Sequence, residues 1–363
     1  MSRYNVGGTA QWLYQLSHGL SENNIENRLL VGNCTNGEKE DERLSSINHT
    51  KIAGLGPGTN PLSTLIALIQ IRREIKKFRP DIVNTHTSKA GVLGRIAAKS
   101  IRPTPKVIHT YHGHVLTGYF NSIMNRSIGI IERLLSNLTD MNFVSGTQVS
   151  QDLIDEKILT RESVFQVWPG VPVFELDNRK QSRKKLGIKE DAFVVASLGR
   201  KVPIKRLDRV LEIAAQLPGV IFLIAGDGKM LSSNQQGSIL SLENNNVIEI
   251  GFSSPSFIWA IADVCLLTSD NEAIPITPIE ASISGKPVVV MDAGSSRETL
   301  IHGETGFLCE KNISDAITAI RKLENSPKLR KKMGSNGRIW ASNHFDPVKS
   351  TLRQIEGYKK VLD

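Results

Sequence analysis

The sequence has no apolar run of about 18 residues. A helix needs that length to cross a bilayer, so no transmembrane helix is expected. It has only three cysteines, Cys34, Cys265 and Cys309, far apart and unpaired by spacing. That excludes a disulfide framework and a thiolate metal site, and it fits a reducing cytoplasm. Aromatic residues make up 6% of the chain, and no basic stretch interleaves them, which argues against a single-strand nucleic-acid binder. Helix-turn-helix, zinc-finger and RNA-module signatures are also lacking, so nucleic acid is not an expected partner. The opening MSRYNVGGTAQWL does not have the charged-then-apolar layout of a signal peptide. Low-complexity tracts and short-period repeats are likewise missing.

What is present is 363 residues, 40% hydrophobic and 22% charged, with a formal net charge of +9. The length suits two folded domains. The charge suits an anionic small ligand or an anionic membrane surface, or simply a solvated basic exterior. Apolar runs at 27–32, 81–86 and 106–112 read as buried strands, separated by amphipathic helices over 62–80 and 88–100. The pattern returns in the second half with strands over 192–200, 220–228, 247–252, 263–269 and 286–292. Such alternation predicts an α/β protein with parallel sheets covered on both faces.

The basic stretch ELDNRKQSRKKLGIKED (175–191) separates the halves. The expected domains are 1–172 and 173–345, with a last helix over 346–363 returning to the first. Ligands of open parallel sheets sit at the carboxyl ends of the strands, so the two sheets are expected to face one cleft. One strand is lacking from this pattern. Gly7-Gly8-Thr9 resembles a glycine turn opening a helix, yet the strand that normally precedes such a turn has only six residues in which to form.

Arg200 and Lys205, in SLGRKVPIKRLDRVLEIAAQL, follow a strand and precede a helix. A helix N-terminus favours anions, and a guanidinium fork with a mobile ammonium would neutralise a diphosphate as its bond to a sugar breaks. In NEAIPITPIEASISGKPVVV, Glu272 and Glu280 lie eight residues apart, with Pro275 and Pro278 suited to a turn and a first helical turn. Amides around Ile276 and Thr277 would meet phosphate, Glu272 would accept from hydroxyls of the transferred sugar, and Glu280 from a ribose. Each residue also has a plain alternative, as a solvated cation or a capping glutamate. Gly7 and Gly8 would let the backbone approach a ligand closely. GLGPGT (54–59) reads as a loop, because Pro57 interrupts it and no helix opens from it directly. His86, Lys89, His112 and His114 fall at strand ends, where they would hydrogen-bond a substrate. No acidic or thiol third ligand is near them in sequence, so no metal is expected.

Taken in order, NVGGT, GRKVPIK, GDG (226–228), EAIPITPIEASISGKPVV and GETGFL (303–308) resemble the retaining GT-B glycosyltransferases of glycosyltransferase family 4, over nearly the whole chain. THTSKAG and TYHGHVLTGYF resemble a bacterial surface-polysaccharide subgroup. The resemblance implies two Rossmann-like domains and a sugar moved from a nucleotide diphosphate, with a UDP-sugar the expected donor. The acceptor would be a glycan or lipid-linked molecule, and neither metal nor cofactor would take part. It also implies that Gly8 lies near the diphosphate or acceptor and His112 beside the transferred sugar. Arg200 and Lys205 would hold the diphosphate, and Glu272 and Glu280 sugar and ribose. His86, Lys89 and His114 would then fall on the acceptor side. VWPGV (167–171) departs from the family's usual Pro-Asn-Gly-Val by placing Trp168 at the hinge or nucleotide edge.

Two other readings compete: a nucleotide-sugar 2-epimerase on the same fold, and a nucleotide-sugar-binding subunit without turnover. The basic amphipathic stretches 68–79 and 123–135 make peripheral contact with an anionic membrane, at the inner face of the cell membrane, a further expectation.

Overall fold

The computed structural model describes residues 1–35, 37–58, 60–113, 122–228 and 246–363, without the side chains of 122–125. The chain divides into two units, Met1–Gly170 with Pro347–Asp363, and Val171–Asp346.

In the first unit the strands are β1 (Leu29–Val31), β2 (His49–Lys51), β3 (Ile82–His86), β4 (Lys106–Tyr111), β5 (Met141–Ser145) and β6 (Val164–Val167). The helices are α1 (Gly8–Glu22), α2 (Pro61–Phe78), α3 (Ser88–Lys99), α4 (Ser122–Ser136) and α5 (Thr147–Asp155). Among the described residues the strands form two separate parallel sheets, β1-β2 and β3-β4-β5-β6.

Helix α2 shows how local sequence sets these elements. Asn60 accepts from the Ser63 amide at 3.1 Å and Pro61 occupies the first turn, a start signal that satisfies an otherwise orphaned N–H. Ala67, Ile71 and Ile75 are buried at four-residue spacing, so one face meets the core. The helix stops at Arg79, which is left-handed and precedes Pro80.

The second unit contains β7 (Val194–Leu198), β8 (Ile221–Ala225), β9 (Val247–Ile250), β10 (Val264–Leu267), β11 (Val288–Met291) and β12 (Gly306–Cys309). Its helices are α6 (Arg179–Lys185), α7 (Leu207–Gln216), α8 (Pro255–Ile261), α9 (Ile276–Ile283), α10 (Ile313–Glu324) and α11 (Pro327–His344). One six-stranded parallel sheet runs β12-β11-β10-β7-β8-β9. Its strands are mainly apolar, apart from Ser197 in β7 and Glu249 in β9, because helices cover both faces. Val195, Phe222, Ile224, Leu266 and Val289 enter one core, while Val194, Ala196, Leu223, Leu267 and Val290 enter the other. Each such large side chain contributes about 1.5–3 kcal/mol when removed from water.

The last helix, α12 (Pro347–Leu362), belongs to the first unit. Tyr358 accepts from the Asn84 side chain at 3.0 Å and stacks on Phe143, while the Arg353 guanidinium lies 4.0 Å from the Phe165 ring centre.

Candidate active site

The residues singled out from the sequence fall into two sets, one on each unit. In the second unit, β7 ends at Leu198 and the chain turns through Gly199 into the loop carrying Arg200 and Lys205. That loop is stitched to the end of β10. Thr268 donates to the carbonyls of Lys205 and Arg206 at 3.0 and 3.1 Å, and the Asp270 amide donates to Ile204 at 2.9 Å. Arg206 takes a left-handed conformation, with its guanidinium on Asp208 and Asp270; Arg209 holds Asp270 as well. The loop after β7 and the loop after β10 are therefore one rigid piece.

The consequence is a direct ion pair between the Lys205 ammonium and Glu272, at the carboxyl end of the sheet. Ser269 donates to the same Glu272 oxygen at 2.6 Å. The Lys205 and Glu272 side chains are only 24% and 12% exposed, so water screens the pair far less than a surface bridge. Gly294 fixes the Glu272 backbone. At a φ of +58°, a Cβ on it would lie 2.2 Å from the Glu272 carbonyl, and the next amide, Ser295, donates to that carbonyl at 3.0 Å. Across the sheet, Gly226 performs the same close approach. A Cβ on it would sit 2.0 Å from the Gly199 carbonyl, so the GDG turn lies directly against the Arg200 loop.

Helix α9 begins just beyond Glu272. Its N-cap, Pro275, supplies no side-chain cap, so the first amides, at Ile276 and Thr277, keep their donor capacity. Thr277 donates from its hydroxyl to the Leu198 carbonyl at 3.1 Å, tying α9 to the end of β7. Glu280 follows one turn later, with only 5% of its surface exposed. Arg200 is exposed and forms no side-chain hydrogen bond or ion pair among the described residues.

In the first unit, Gly7 is the N-cap and Gly8 the first residue of α1. His86, at the end of β3, and His112, just after β4, meet side by side, Nδ1 to Nε2, at 2.8 Å. Trp12 of α1 lies edge-on to His112, ring centres 4.7 Å apart. Burial pushes His112 down to about 3 and His86 well below its ordinary value. Both rings are therefore neutral at pH 7, sharing one proton between the facing nitrogens. The other ring nitrogen of His112, Nδ1, is buried and has no hydrogen-bond partner among the described residues. Lys89 is directed elsewhere: its ammonium donates to the carbonyls of Gly54, Gly56 and Gly58 at 2.8–3.0 Å and so shapes the GLGPGT loop. His114 lies outside the described residues.

Several contributors escaped the sequence reading. Ser269 orients Glu272, and Trp12 walls His112. The buried Lys201 ammonium reaches Glu249 at 2.5 Å and the Ile250 carbonyl at 3.2 Å, anchoring the Arg200 loop to β9. Ser269 and Asp270 directly follow an apolar strand, which was the available signal. No sequence spacing links Lys201 to Glu249. Among the described residues no three His, Cys, Asp or Glu side chains gather as a metal-ligand group.

Residues 6–173 match Glycosyltransferase Family 4, and residues 178–340 match Glycosyl transferases group 1. Among curated proteins, the chain is 26% identical over 300 residues to an Escherichia coli enzyme named UDP-Gal:alpha-D-GlcNAc-diphosphoundecaprenol alpha-1,3-galactosyltransferase, covering 78% of this chain and 76% of that one. It is 29% identical to the Staphylococcus aureus capsular polysaccharide biosynthesis glycosyltransferase CapM, covering 78% and 77%. In fold it is similar to Anabaena Alr3699/HepE, solved with UDP and glucose, with a TM-score of 0.80 at 21% identity over 97% of this chain and 96% of that one. The lipopolysaccharide glycosyltransferase WaaG superposes with a TM-score of 0.73 at 16% identity over 96% of each chain. The two halves of this chain thus match the family 4 and group 1 glycosyltransferase domains, and the protein is a glycosyltransferase of GT-B fold.

Proposed function

We propose that the chain moves a sugar from a nucleoside diphosphate, with UDP-sugar the donor, to a glycan or lipid-linked acceptor in cell-surface polysaccharide or glycolipid synthesis, with retention at the anomeric carbon. The observation that carries this reading is the Lys205–Glu272–Ser269 cluster at the carboxyl end of the second sheet, beside the uncapped start of α9 and the unengaged Arg200. An ammonium has three donors, so Lys205 can keep Glu272 on one and offer another to a phosphate oxygen. Arg200 supplies a two-pronged donor to the same diphosphate, and the amides of Ile276 and Thr277 add to the positive field. Glu272 then accepts from sugar hydroxyls, and Glu280, deeper in α9, from the ribose. His112, neutral and with Nδ1 unpartnered among the described residues, can hydrogen-bond a sugar hydroxyl.

In this reading the acceptor oxygen bonds to the anomeric carbon on the face from which the phosphate oxygen departs. That departing oxygen takes the acceptor proton. Preorganised cations and amides stabilise the charge growing on the diphosphate, and no metal or enzyme nucleophile is needed. Glu272 supports this, because its carboxylate is tied to Lys205 and Ser269 rather than standing free. An epimerase needs an acid and a base poised at the sugar, and the curated relatives reported above are transferases.

Peripheral membrane contact has its own support. Helix α2 exposes Leu62, Leu65, Ile66 and Ile69 along one stripe, followed by exposed Arg72, Arg73, Lys76 and Lys77. This apolar stripe with adjoining positive charge suits an anionic bilayer.

Thermal unfolding with UDP, GDP, ADP and dTDP tests the donor. One nucleotide at about 100 times its Kd should add about 2.7 kcal/mol of stability. Glu280→Ala should shrink that increment relative to its own unliganded baseline. No shift with any nucleotide would sink the donor assignment.

A further inference from the structure

On the side away from β10, the loop carrying Arg200 is fixed to β8 and β9. Two of its amides extend the β7–β8 ladder past the strand ends. Gly199 donates to the Ala225 carbonyl at 3.0 Å, and Lys201 to the Asp227 carbonyl at 2.7 Å. That every-second-residue spacing is the pattern of a parallel pair. The next edge continues as well, because the Gly226 amide donates to the Gly251 carbonyl at 3.1 Å. The GDG turn (226–228) thus lies between the Arg200 loop and the chain leaving β9.

The Lys201 side chain crosses this turn. Strand β8 separates β7 from β9, yet the Lys201 ammonium meets Glu249 of β9 and donates to the Ile250 carbonyl. The turn leaves room for the crossing only because it lacks side chains at both ends. Gly226 lies against the Gly199 carbonyl. At Gly228, φ 110°, a Cβ would sit 2.8 Å from the Lys201 carbonyl and 3.1 Å from the Lys201 Cβ. The Lys201 side chain is 4% exposed and that of Glu249 27%. The ammonium is therefore enclosed by protein, while Arg200 beside it is exposed.

The Arg200 side chain takes no part in these bonds, but both its neighbours do. Gly199 is held by its amide, and Lys201 by its amide and its ammonium. A partnerless guanidinium is thereby carried on backbone fixed before and after it. A binding group placed in advance loses less freedom when the ligand arrives.

We propose that Lys201 and Glu249 are positioning residues: the strut between them holds the Arg200 backbone where its guanidinium meets the phosphates, given that Arg200 binds the diphosphate as proposed above. Neither residue touches the ligand. Both act through Arg200, and the two glycines of GDG are the passage through which the strut runs.

Titration calorimetry of the full chain with UDP and with uridine tests this. Removing one partner would strand the other charge, so the strut is removed as Lys201→Met together with Glu249→Gln, which leaves no buried charge unpaired. If about one molecule in ten then keeps the loop in place, UDP affinity falls by about tenfold. Uridine lacks the diphosphate, so its affinity should not change. In an Arg200→Ala background the same two substitutions should weaken UDP no further, because residues acting through one another are not additive. Unchanged UDP affinity without the strut, alongside a loss in Arg200→Ala, would overturn the proposal and leave the diphosphate reading standing. Equal losses of UDP and uridine would also overturn it, since Lys201 would then support the whole unit. So would a full further loss in the Arg200→Ala background, which would mean that Lys201 meets the ligand itself. Unchanged UDP affinity in Arg200→Ala, or no UDP binding by the parent chain, would remove the diphosphate reading and the strut's role with it.

Discussion

The two units arrange their parallel strands differently. In the second, the first strand sits at the centre of the sheet, and the loop leaving it carries Arg200 and Lys205. In the first, the described strands divide into a pair and a quartet, and the glycine opening α1 follows only a short extended stretch. Their polar chemistry differs in the same way. The second unit concentrates charge at its strand ends, in the Lys205–Glu272, Lys201–Glu249 and Arg206–Asp270 pairs. The first buries neutral rings there: His86, His109 and His112 all lie under their ordinary pKa because burial disfavours the imidazolium. The comparison teaches a contrast in electrostatics: one sheet end holds charged pairs, the other neutral rings, as the proposed donor and acceptor roles require.

The largest expected effect breaks the anion side. Lys205→Ala removes a charged contact worth about 1.5–3 kcal/mol, so transfer should slow by roughly 10- to 100-fold. Arg200→Ala should act in the same direction. Steady-state rates with a UDP-sugar measure this, and unchanged turnover in both variants would remove the diphosphate assignment.

The next effect concerns the neutral side. An unfolded histidine takes up a proton near pH 6.5, whereas His112 resists until about 3. A base held neutral by the fold stabilises fully above the unfolded value and loses that contribution as pH falls through the window. His86 and His109 have the same sign, while the histidines of the second unit, His302 and His344, are exposed. Between pH 6.5 and 4, hydrogen exchange should therefore show β3 and β4 losing protection before β7 and β8. Equal loss in both sheets would contradict this account.

The smallest effect is at the surface. Leu65→Glu with Ile69→Glu should weaken binding to phosphatidylserine vesicles several-fold, since side chains resting at the interface are partly buried and forfeit only a fraction of the about 1.5–3 kcal/mol of full burial. It should leave turnover on a water-soluble acceptor unchanged. Vesicle binding equal to that of the parent would exclude α2 as the contact.

Much of this was readable from the residues. Apolar runs between amphipathic helices marked β3, β4, β7, β10 and β11 within two residues at either end and β8 within three, because strands covered on both faces are rich in apolar residues. Strands β2, β5, β6 and β12 escaped; of these, HTK and GFLC are too brief to carry a period. The spacing of Arg200 and Lys205 put both on one loop, and Glu272 and Glu280 were legible as a loop-to-helix pair. Tertiary structure alone brought Lys205 onto Glu272, from 67 residues away, and turned Lys89 onto three loop carbonyls. It also paired His86 with His112, and carried Lys201 across the GDG turn to Glu249. Local pattern determines which segments are buried, because burial repeats with the period of the element. Which charges, rings and strand edges meet depends on how strands are ordered across a sheet, and that order has no period to read.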